Sequence, residues 1–506
     1  MDSSDQAGSL SPVDLKVLAA MRHGLLTEVA GEVRSPMART ICDFSIAALD
    51  RLIARHGEWP RILAERVAAQ AGIVGAAARL LHGQGVIGDD RNGQAVLLAE
   101  RYATPAGLSL GELEAAQCEL DAALGRLARP LMHARALGNP EANALFLSLA
   151  SGVVTAQAEL SEASQARVEA HSARAQSYVS VTAADFAAYL HRRFPDRTEL
   201  ALVAYDELPG GSSKTTVLAE LRGFDHPGIT PVVVRMDRVG GSTGTRATDE
   251  VPIVAAAHRL GFPVPEVLWC EEDATALGCA FYVVRKMGGV AAGGMMGAVG
   301  DDCSPEVALD LARILARLHA VDLAEFGLAD PGEHPMNVAL AKARKLLSDY
   351  QLDREGILEC CLCWLEENMP PPPARPALVH GDVSAHNLLV SGTRVEALLD
   401  WELFHAGDPI EDLAISRSMI ERMIPWEEFL AEYRRSGGTD YSDTTGNYYW
   451  VWSAVRNMIF TLMCRKAFYS GENPDLRWEY YASYYAPLLN SALARIAHAE
   501  GRPAAG

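Results

Sequence analysis

The stretch that most constrains the fold is LVHGDVSAHNLLV, residues 378–390. Two apolar runs flank a polar segment in which Asp382 and Asn387 stand five residues apart. A carboxylate can accept a proton from a hydroxyl, and an amide oxygen can bind a magnesium ion. The segment therefore has two interpretations: a turn with a capping Asn, or a site for phosphoryl transfer.

The residues that follow favour phosphoryl transfer. The spacing H-x-D-x-x-x-x-N is that of the catalytic loop in the kinase fold, which needs a second metal-binding carboxylate on the next strand. The run VEALLDWE places Asp400 thirteen residues after Asn387, and GDPIEDLA comes soon after. The alternative is a turn Asp, a capping Asn and an unrelated Asp at a strand end.

Composition excludes several classes of function. The chain has 506 residues, enough for two or three domains, and carries a net charge of −20. Because a nucleic-acid surface needs clustered Lys and Arg, we expect no nucleic-acid partner. The acidic balance fits a cationic substrate and also plain solubility. We find no signal-peptide pattern and no apolar run of membrane-spanning length, so we expect a cytoplasmic protein with no membrane partner and with reduced cysteines.

The pattern along the chain changes twice. Residues 1–175 have helical periodicity, with Gly and Pro mainly between segments. From about residue 179, four β-rich runs (LALVAY, TTVLAEL, TPVVVRM and AFYVVRKM) surround one helical pattern, which predicts an antiparallel sheet carrying one helix. After Ser304-Pro305 the chain is helical again, with Val307, Leu311, Ile314 and Leu318 on one face.

The stretches LVHGDVSAHNLLV, LLDWELFHAGDPIEDLA and LARLHAVD resemble the aminoglycoside phosphotransferase family, and most of all its branch with the kinase domains of large acyl-CoA dehydrogenases. The resemblance covers about residues 179–495. It implies an α+β, two-lobed protein-kinase-like fold with an N-lobe at 179–287 and a C-lobe at 288–498. The all-α segment 1–175 precedes both lobes and has no assigned role.

The resemblance also implies roles in the C-lobe. Asp382 is the expected catalytic base or orienting carboxylate, and Asn387 and Asp400 are the expected magnesium ligands. His380 is expected to brace the loop without titrating. Asp408 and Asp412 are expected to support the loop or line the substrate side, and a helix cap is the alternative for Asp408.

The nucleotide side is implied by weaker patterns. The loop ELPGGSSK is expected to cover the phosphates with the backbone of Gly210, Gly211, Ser212 and Ser213, although a plain hairpin turn has the same pattern. Arg235 is expected to hold the α- and β-phosphates, where protein kinases have Lys. Its acidic partner is expected to be Glu250, or else Asp249, with helix capping as the alternative for both. The backbone near Arg285 to Met287 is expected to contact adenine.

Three other patterns are better explained without a site. Cys360, Cys361 and Cys363 lack the paired C-x-x-C spacing of a metal motif and have no His nearby, and they are expected to be buried in a helix. HGQGVIG matches G-x-G-x-x-G but follows a helical pattern and not a strand. The aromatic run YYWVW is expected to be core, and for His386 ligand contact and bracing both stay open.

Together these features predict an ATP- and Mg²⁺-dependent phosphotransferase that acts on a hydroxyl of a small molecule. A hydroxylated metabolite of the hydroxyacyl-CoA kind is favoured over an aminoglycoside-like cation, and GTP in place of ATP stays open. The alternative is a non-catalytic nucleotide-binding scaffold whose helical segment binds a partner. For residues 1–175 a homodimer contact, a cover over the cleft and a docking surface all stay open.

Overall fold

The computed structural model describes residues 59–149, 181–208, 214–237, 245–293, 303–350 and 356–469, apart from residue 106, together with residues 21, 22, 25, 492, 493, 495 and 496. Its contacts divide the chain into two units. The first combines the described parts of Met1–Ala173, Leu340–Met369 and Val451–Gly506, and the second combines those of Arg174–Ala339 and Pro370–Trp450. The sequence predicts three consecutive segments, whereas the described residues of 340–369 and of 451–506 group with the N-terminal helices.

The secondary structure elements are numbered in chain order. The helices are α1 Trp59–Gly83, α2 Asp89–Tyr102, α3 Leu110–Ala136, α4 Ala183–Arg193, α5 Val251–Arg259, α6 Pro305–Ala320, α7 Pro335–Asp349, α8 Gly356–Glu367, α9 Ile410–Ile420, α10 Trp426–Arg435 and α11 Asp443–Tyr469. The strands are β1 Ala201–Leu208, β2 Lys214–Arg222, β3 Ile229–Asp237, β4 Val267–Glu271, β5 Phe281–Arg285, β6 Val290–Ala291, β7 Ala377–Val379, β8 Leu388–Ser391, β9 Arg394–Leu398 and β10 His405–Gly407.

The first unit is helical in its described parts, as the periodicity of its N-terminal residues predicts. α1 packs against α2 and α3, and α8 packs against α3. Leu113, Leu120, Leu124 and Leu127 of α3 are buried. A methyl group on Gly356 of α8 would lie 2.7 Å from the Leu124 side chain. Arg129 of α3 and Arg344 of α7 also pair with Glu366 of α8, at 2.6 and 2.9 Å. These contacts explain why α8 groups with the N-terminal helices.

The N-terminal part of the second unit is a five-stranded sheet in the order β1-β2-β3-β5-β4, and every pair is antiparallel. Buried and more exposed residues alternate along β2 and β3, as expected for strands with one face against a core. Phe186 of α4 and Phe281 of β5 are fully buried in that core. The predicted antiparallel sheet is confirmed, and α5 lies between β3 and β4 along the chain as predicted. The sequence did not predict α4, which also packs against this sheet.

The C-terminal part of the second unit is mostly helical around two small sheets. α6 buries Val307, Leu311 and Leu318, as predicted, and packs against α10, β7 and β9. β6, β8 and β9 form one sheet, and β7 pairs with β10. The polar segment of the 378–390 motif thus connects β7 to β8, and Asp400 follows the end of β9.

No helix in the described part of the chain combines the length and apolar character needed to cross a membrane.

Candidate active site

The loop between β7 and β8 brings the predicted Asp and Asn together. The side-chain Nδ2 of Asn387 donates to Asp382 Oδ2 at 2.8 Å and to the Asp382 carbonyl at 3.1 Å. Asn387 is buried, whereas the Asp382 side chain is 35% exposed. The amide therefore fixes the carboxylate in one orientation and leaves it open to a substrate.

Gly381 allows the chain to turn into this loop. Its φ is +84°, and a Cβ at this position would lie 2.6 Å from the Leu403 carbonyl oxygen. Only glycine meets both conditions without strain.

The loop backbone is anchored to one buried carboxylate, that of Asp412 in α9. Its two oxygens accept the N–H groups of His380 and Gly381, each at 2.8 Å. His319 Nε2 lies 3.1 Å from the same carboxylate, and its Nδ1 lies 2.8 Å from the Tyr433 hydroxyl. Burial alone would raise the pKa of Asp412, but the bonds with His319 and the loop lower it. Asp412 thus supports the loop, one of the two roles predicted for it.

His380 is buried beneath the loop. Its Nδ1 accepts the Asp382 N–H at 3.2 Å, so the ring proton lies on Nε2 and is donated to the Leu399 carbonyl at 3.1 Å. The ring also lies 4.5 Å from that of Trp401. Burial lowers the pKa of His380, which keeps the ring neutral at neutral pH. This geometry matches the predicted bracing role.

Asp400 lies beside this loop at the end of β9. The Leu399 N–H donates to the Asn387 carbonyl at 2.8 Å, which ties β9 to the loop. Asp400 has a φ of +65°, a conformation that non-glycine residues rarely adopt and that often occurs at functional sites. Its side chain is 29% exposed and accepts Arg235 Nη2 at 2.7 Å.

Arg235 and Glu250 form the predicted pair of β3 and the following helix. Arg235 Nη2 lies 3.6 Å from Glu250 Oε1, and the Glu250 side chain is almost fully buried. Burial lowers the pKa of Arg235, but the charges of Asp400 and Glu250 outweigh it and hold the pKa well above its usual value. Asp249 instead accepts the Arg246 N–H at 2.8 Å and caps the helix, so Glu250 is the residue that faces Arg235.

Glu250 also contacts the residue after Asp400. Its Oε2 accepts the Trp401 N–H and the Tyr282 hydroxyl, each at 3.2 Å, while Oε1 has no hydrogen bond. Burial and the nearby Asp400 raise the pKa of Glu250, and Arg235 opposes them. Glu250 thereby links the helix, the sheet and the loop that carries Asp400.

Two side-chain oxygens of the site that accept no hydrogen bond from a described residue are suitable ligands for a magnesium ion. Asn387 donates through Nδ2, so its amide oxygen is available, and one oxygen of Asp400 accepts no hydrogen bond from a described residue. The described residues contain no cluster of three or more His, Cys, Asp or Glu side chains that could hold a metal. Magnesium suits such a sparse set, because it binds through one or two protein ligands together with phosphate oxygens and water.

The nucleotide side is only partly described. Gly210, Gly211, Ser212 and Ser213 lie outside the described residues. The first described residue after them is Lys214, which is buried and which the sequence analysis did not single out. Its Nζ donates to Asp237 Oδ1 at 3.1 Å and to the Thr245 carbonyl. Lys214 thus ties the start of β2 to the end of β3.

The last residue of β5 and the two residues after it form the backbone that is expected to contact adenine. The Arg285 N–H donates to the Glu266 carbonyl at 2.9 Å, and the Lys286 N–H donates to the Pro231 carbonyl at 3.0 Å. Of the three backbone N–H groups of residues 285–287, that of Met287 has no hydrogen-bond acceptor among the described residues. The Arg285 side chain pairs with Glu266 and Asp225, each at 2.8 Å, and these pairs hold it at the end of β5.

This arrangement can be compared with known proteins. A family model described as "Phosphotransferase enzyme family" matches residues 205–446, which contain both Asp382 and Asp400. Residues 205–446 of this chain are thus similar to that phosphotransferase family. In the phosphotransferase region the fold is the two-lobed, α+β arrangement that the sequence predicts.

Relatives match parts of the chain. Acyl-CoA dehydrogenase family member 11 of Gallus gallus is 31% identical over 244 residues, which cover 44% of this chain and 28% of the relative. Acyl-CoA dehydrogenase family member 10 of Mus musculus is 28% identical over 171 residues, 33% of this chain and 16% of the relative. The match thus spans less than a third of either relative. Macrolide 2′-phosphotransferase MphH of Brachybacterium faecium has a TM-score of 0.42 at 20% identity, covering 59% of this chain and 98% of that structure.

Other predicted residues take structural positions. Asp408 Oδ1 accepts the N–H of Ile410 at 2.9 Å and so caps α9, which was the alternative prediction. His386 Nδ1 lies 3.1 Å from Ser384 Oγ, and its Nε2 lies 3.9 Å from Asp382. His386 therefore lies beside Asp382, and ligand contact and bracing both stay open as its role.

The three patterns set aside in the sequence are structural. The cysteines of α8 are buried, and burial raises the pKa of Cys361 to about 12 and that of Cys363 to about 11. HGQGVIG starts in the last turn of α1 and leads into α2, so it follows a helix and not a strand. Tyr448, Tyr449 and Trp452 are buried on α11.

Sequence analysis missed the anchoring role of His319. It lies in LARLHAVD, a run that carried the family resemblance without a role for its histidine. A lone His on an otherwise apolar helix face was the available signal, because burial of such a ring demands a polar partner.

Proposed function

We propose that this chain is an ATP- and magnesium-dependent phosphotransferase that moves the γ-phosphoryl group of ATP to a hydroxyl of a small molecule. The orientation of Asp382 carries the proposal. Its carboxylate is open to solvent and is held by Asn387 at 2.8 Å, on a backbone anchored by the buried Asp412. A turn residue with no chemical role would not need this support.

Each residue of the site has a separate role in the proposed reaction. Asp382 accepts a hydrogen bond from the acceptor hydroxyl and orients its oxygen toward the γ-phosphorus. It takes up the hydroxyl proton as the new oxygen–phosphorus bond forms and the bond from the γ-phosphorus to the bridging oxygen breaks, which releases ADP. Arg235 supplies positive charge toward the phosphate oxygens. Magnesium, held through Asn387 and Asp400, would offset the negative charge of the phosphates. The protein therefore contributes mainly position and electrostatics.

For the acceptor we favour a hydroxylated acyl metabolite, such as a hydroxyacyl-CoA, over an aminoglycoside. The support is that the curated relatives are named acyl-CoA dehydrogenase family members. The net charge of −20 describes the whole chain and says little about a single pocket.

A non-catalytic scaffold is the second candidate. One observation favours it: Arg235 lies 2.7 Å from Asp400 and occupies an oxygen of the carboxylate that would bind magnesium. In a scaffold this ion pair would persist with nucleotide bound. In an enzyme Arg235 would shift toward Glu250, whose Oε1 is 3.6 Å away and has no hydrogen bond.

Release of ADP in the presence of ATP and magnesium tests the proposal, with hydroxyacyl-CoA thioesters and aminoglycosides as two acceptor panels. We expect acceptor-dependent ADP release, and Asp382→Asn should lower it by roughly 10²–10⁴-fold, the usual contribution of general base catalysis. Asp440→Asn is the matched control, since that side chain is 99% exposed. Equal turnover by Asp382→Asn and the wild type would exclude Asp382 as the base.

Thermal shift measurements separate the two candidates. An enzyme should be stabilised more by ATP with magnesium than by ATP alone, and Asp400→Asn should remove the difference. If magnesium adds nothing and no acceptor is phosphorylated, the scaffold is the better description. A separate mass search of a cell extract, for products heavier by one phosphoryl group, would identify an acceptor that neither panel contains.

A further inference from the structure

A cavity of about 430 Å³ lies in the second unit, lined by residues other than Asp382, Asn387 and Asp400. Its walls come from the turn after α5, the ends of β4 and β5, the middle of α6 and the start of β9. This volume lies within the range of pockets that bind small molecules. Arg285 and Met287, whose backbone is expected to contact adenine, also line the cavity, but Asp382, Asn387, Asp400 and Arg235 do not.

One of the two carboxylates of the cavity is paired within the protein. Glu266 accepts Arg285 Nε at 2.8 Å. Asp310 accepts the Val395 N–H at 3.0 Å and lies 3.8 Å from Arg313, whose closer partner is Glu432 at 2.6 Å. Asp310 therefore keeps one negative charge at the cavity wall.

Two cationic side chains of the cavity have no carboxylate partner. Among the described residues, Arg317 and Arg394 form no ion pair, and both line the cavity from different elements. Arg317 is held in place, because its Nη2 donates to the Gly261 carbonyl at 2.5 Å and its guanidinium lies 4.2 Å from the centre of the Phe262 ring. His258 adds a third basic group at the wall. The net charge facing the cavity is thus positive, although the chain as a whole is acidic.

The cavity floor is apolar. Phe262, Val264 and Val395 line it and are buried in the core of the second unit, and Ile314 of α6 lies beside them. An apolar floor with two guanidinium groups suits a ligand that has an apolar body and an oxyanion.

We propose that this cavity is a second ligand site, which binds a small organic anion with a phosphate or carboxylate group on a flat apolar body. The oxyanion pairs with Arg394 and Arg317, and the apolar body lies on Phe262, Val264 and Ile314. The proposal does not rest on the proposed kinase reaction, because its two arginines lie outside both the catalytic loop and the segment expected to contact adenine.

Isothermal titration of the full chain with 1-naphthyl phosphate and with 1-naphthoate tests the site, and 2-naphthol is the uncharged control. Both anions should bind, and the naphthol should bind more weakly than either. Arg394→Gln and Arg317→Gln should each raise the Kd of both anions by about fivefold or more, as expected for loss of a charge-assisted hydrogen bond. Stronger binding of one anion identifies the group that the site prefers.

Two controls locate the binding. Arg422→Gln removes an exposed arginine of the same unit that does not line the cavity, and it should leave both affinities unchanged. Arg235→Gln tests for binding at the nucleotide site. The proposal is overturned if neither anion binds, if Arg394→Gln and Arg317→Gln both bind like the wild type, or if only Arg235→Gln weakens binding.

Discussion

Replacement of Asp412 by Asn tests how the catalytic loop is held. The carboxylate accepts two backbone N–H groups at 2.8 Å and faces His319 at 3.1 Å, all in a fully buried setting. An amide keeps one acceptor oxygen and turns the other position into a donor. One backbone N–H, that of His380 or Gly381, therefore loses its acceptor and meets another N–H.

The cost of the Asp412→Asn change follows from that loss. A buried donor left without an acceptor costs roughly 1–3 kcal/mol, and bonds to a charged acceptor are stronger than neutral ones, so we expect a loss of roughly 2–4 kcal/mol. For a unit of this size that corresponds to a fall in Tm of roughly 5–15 °C. Differential scanning fluorimetry measures the fall, and hydrogen exchange should show faster exchange at the Gly381 amide.

The pH dependence gives a second check on Asp412. Because its folded pKa lies below the unfolded value, the ionised carboxylate stabilises the fold above about pH 4, and this contribution is lost as pH falls through the folded pKa. The gap in Tm between wild type and Asp412→Asn should be constant from pH 6 to 8 and narrow below about pH 4. Asp440→Asn, at an exposed position, should match the wild type throughout. A fall in Tm no larger than that of Asp440→Asn, with unchanged exchange at Gly381, would refute the reasoning.

Two further predictions concern the same loop. Gly381→Ala should destabilise the protein by roughly 1–3 kcal/mol, because it combines a positive φ with a Cβ 2.6 Å from the Leu403 carbonyl. Gly392→Ala should lower the Tm less. Gly392 also has a positive φ, but no atom lies within 4 Å of the added Cβ. Wild-type stability should fall as pH drops below about 6.5, since the unfolded chain binds a proton that buried His380 binds only at lower pH. His380→Gln should flatten the Tm profile between pH 7.5 and 5.5, and an unchanged slope would assign that dependence to other groups.

The sequence predicted the parts of the site that depend on short stretches of chain. Asp382 and Asn387 belong to one loop, so side chains five residues apart can meet without any distant element. The apolar run before Asp400 predicted a strand, and β9 ends just before this residue. The alternating strands of the N-terminal sheet were predicted for the same reason, because a two-residue period is visible in the sequence.

The long-range contacts were harder to predict. The choice of Glu250 over Asp249 stayed open until packing placed one carboxylate toward Arg235 and the other at the helix cap. The grouping of α8 with the N-terminal helices was missed, since a buried face shows that a helix packs but not against which partner.

The sequence by itself therefore determined the chemistry available to this protein: a carboxylate and an amide in one loop, and a second carboxylate after the next strand. Only the tertiary structure decided how those groups are held. Arg235 and Asp400 are separated by 165 residues along the chain, and Asp412 reaches the loop from 31 residues away. The physical reason is that residue spacing along the chain sets local geometry, whereas contacts between distant elements depend on how whole helices and sheets pack. The same packing brings Arg317 and Arg394 to one cavity, which no motif in the sequence indicates.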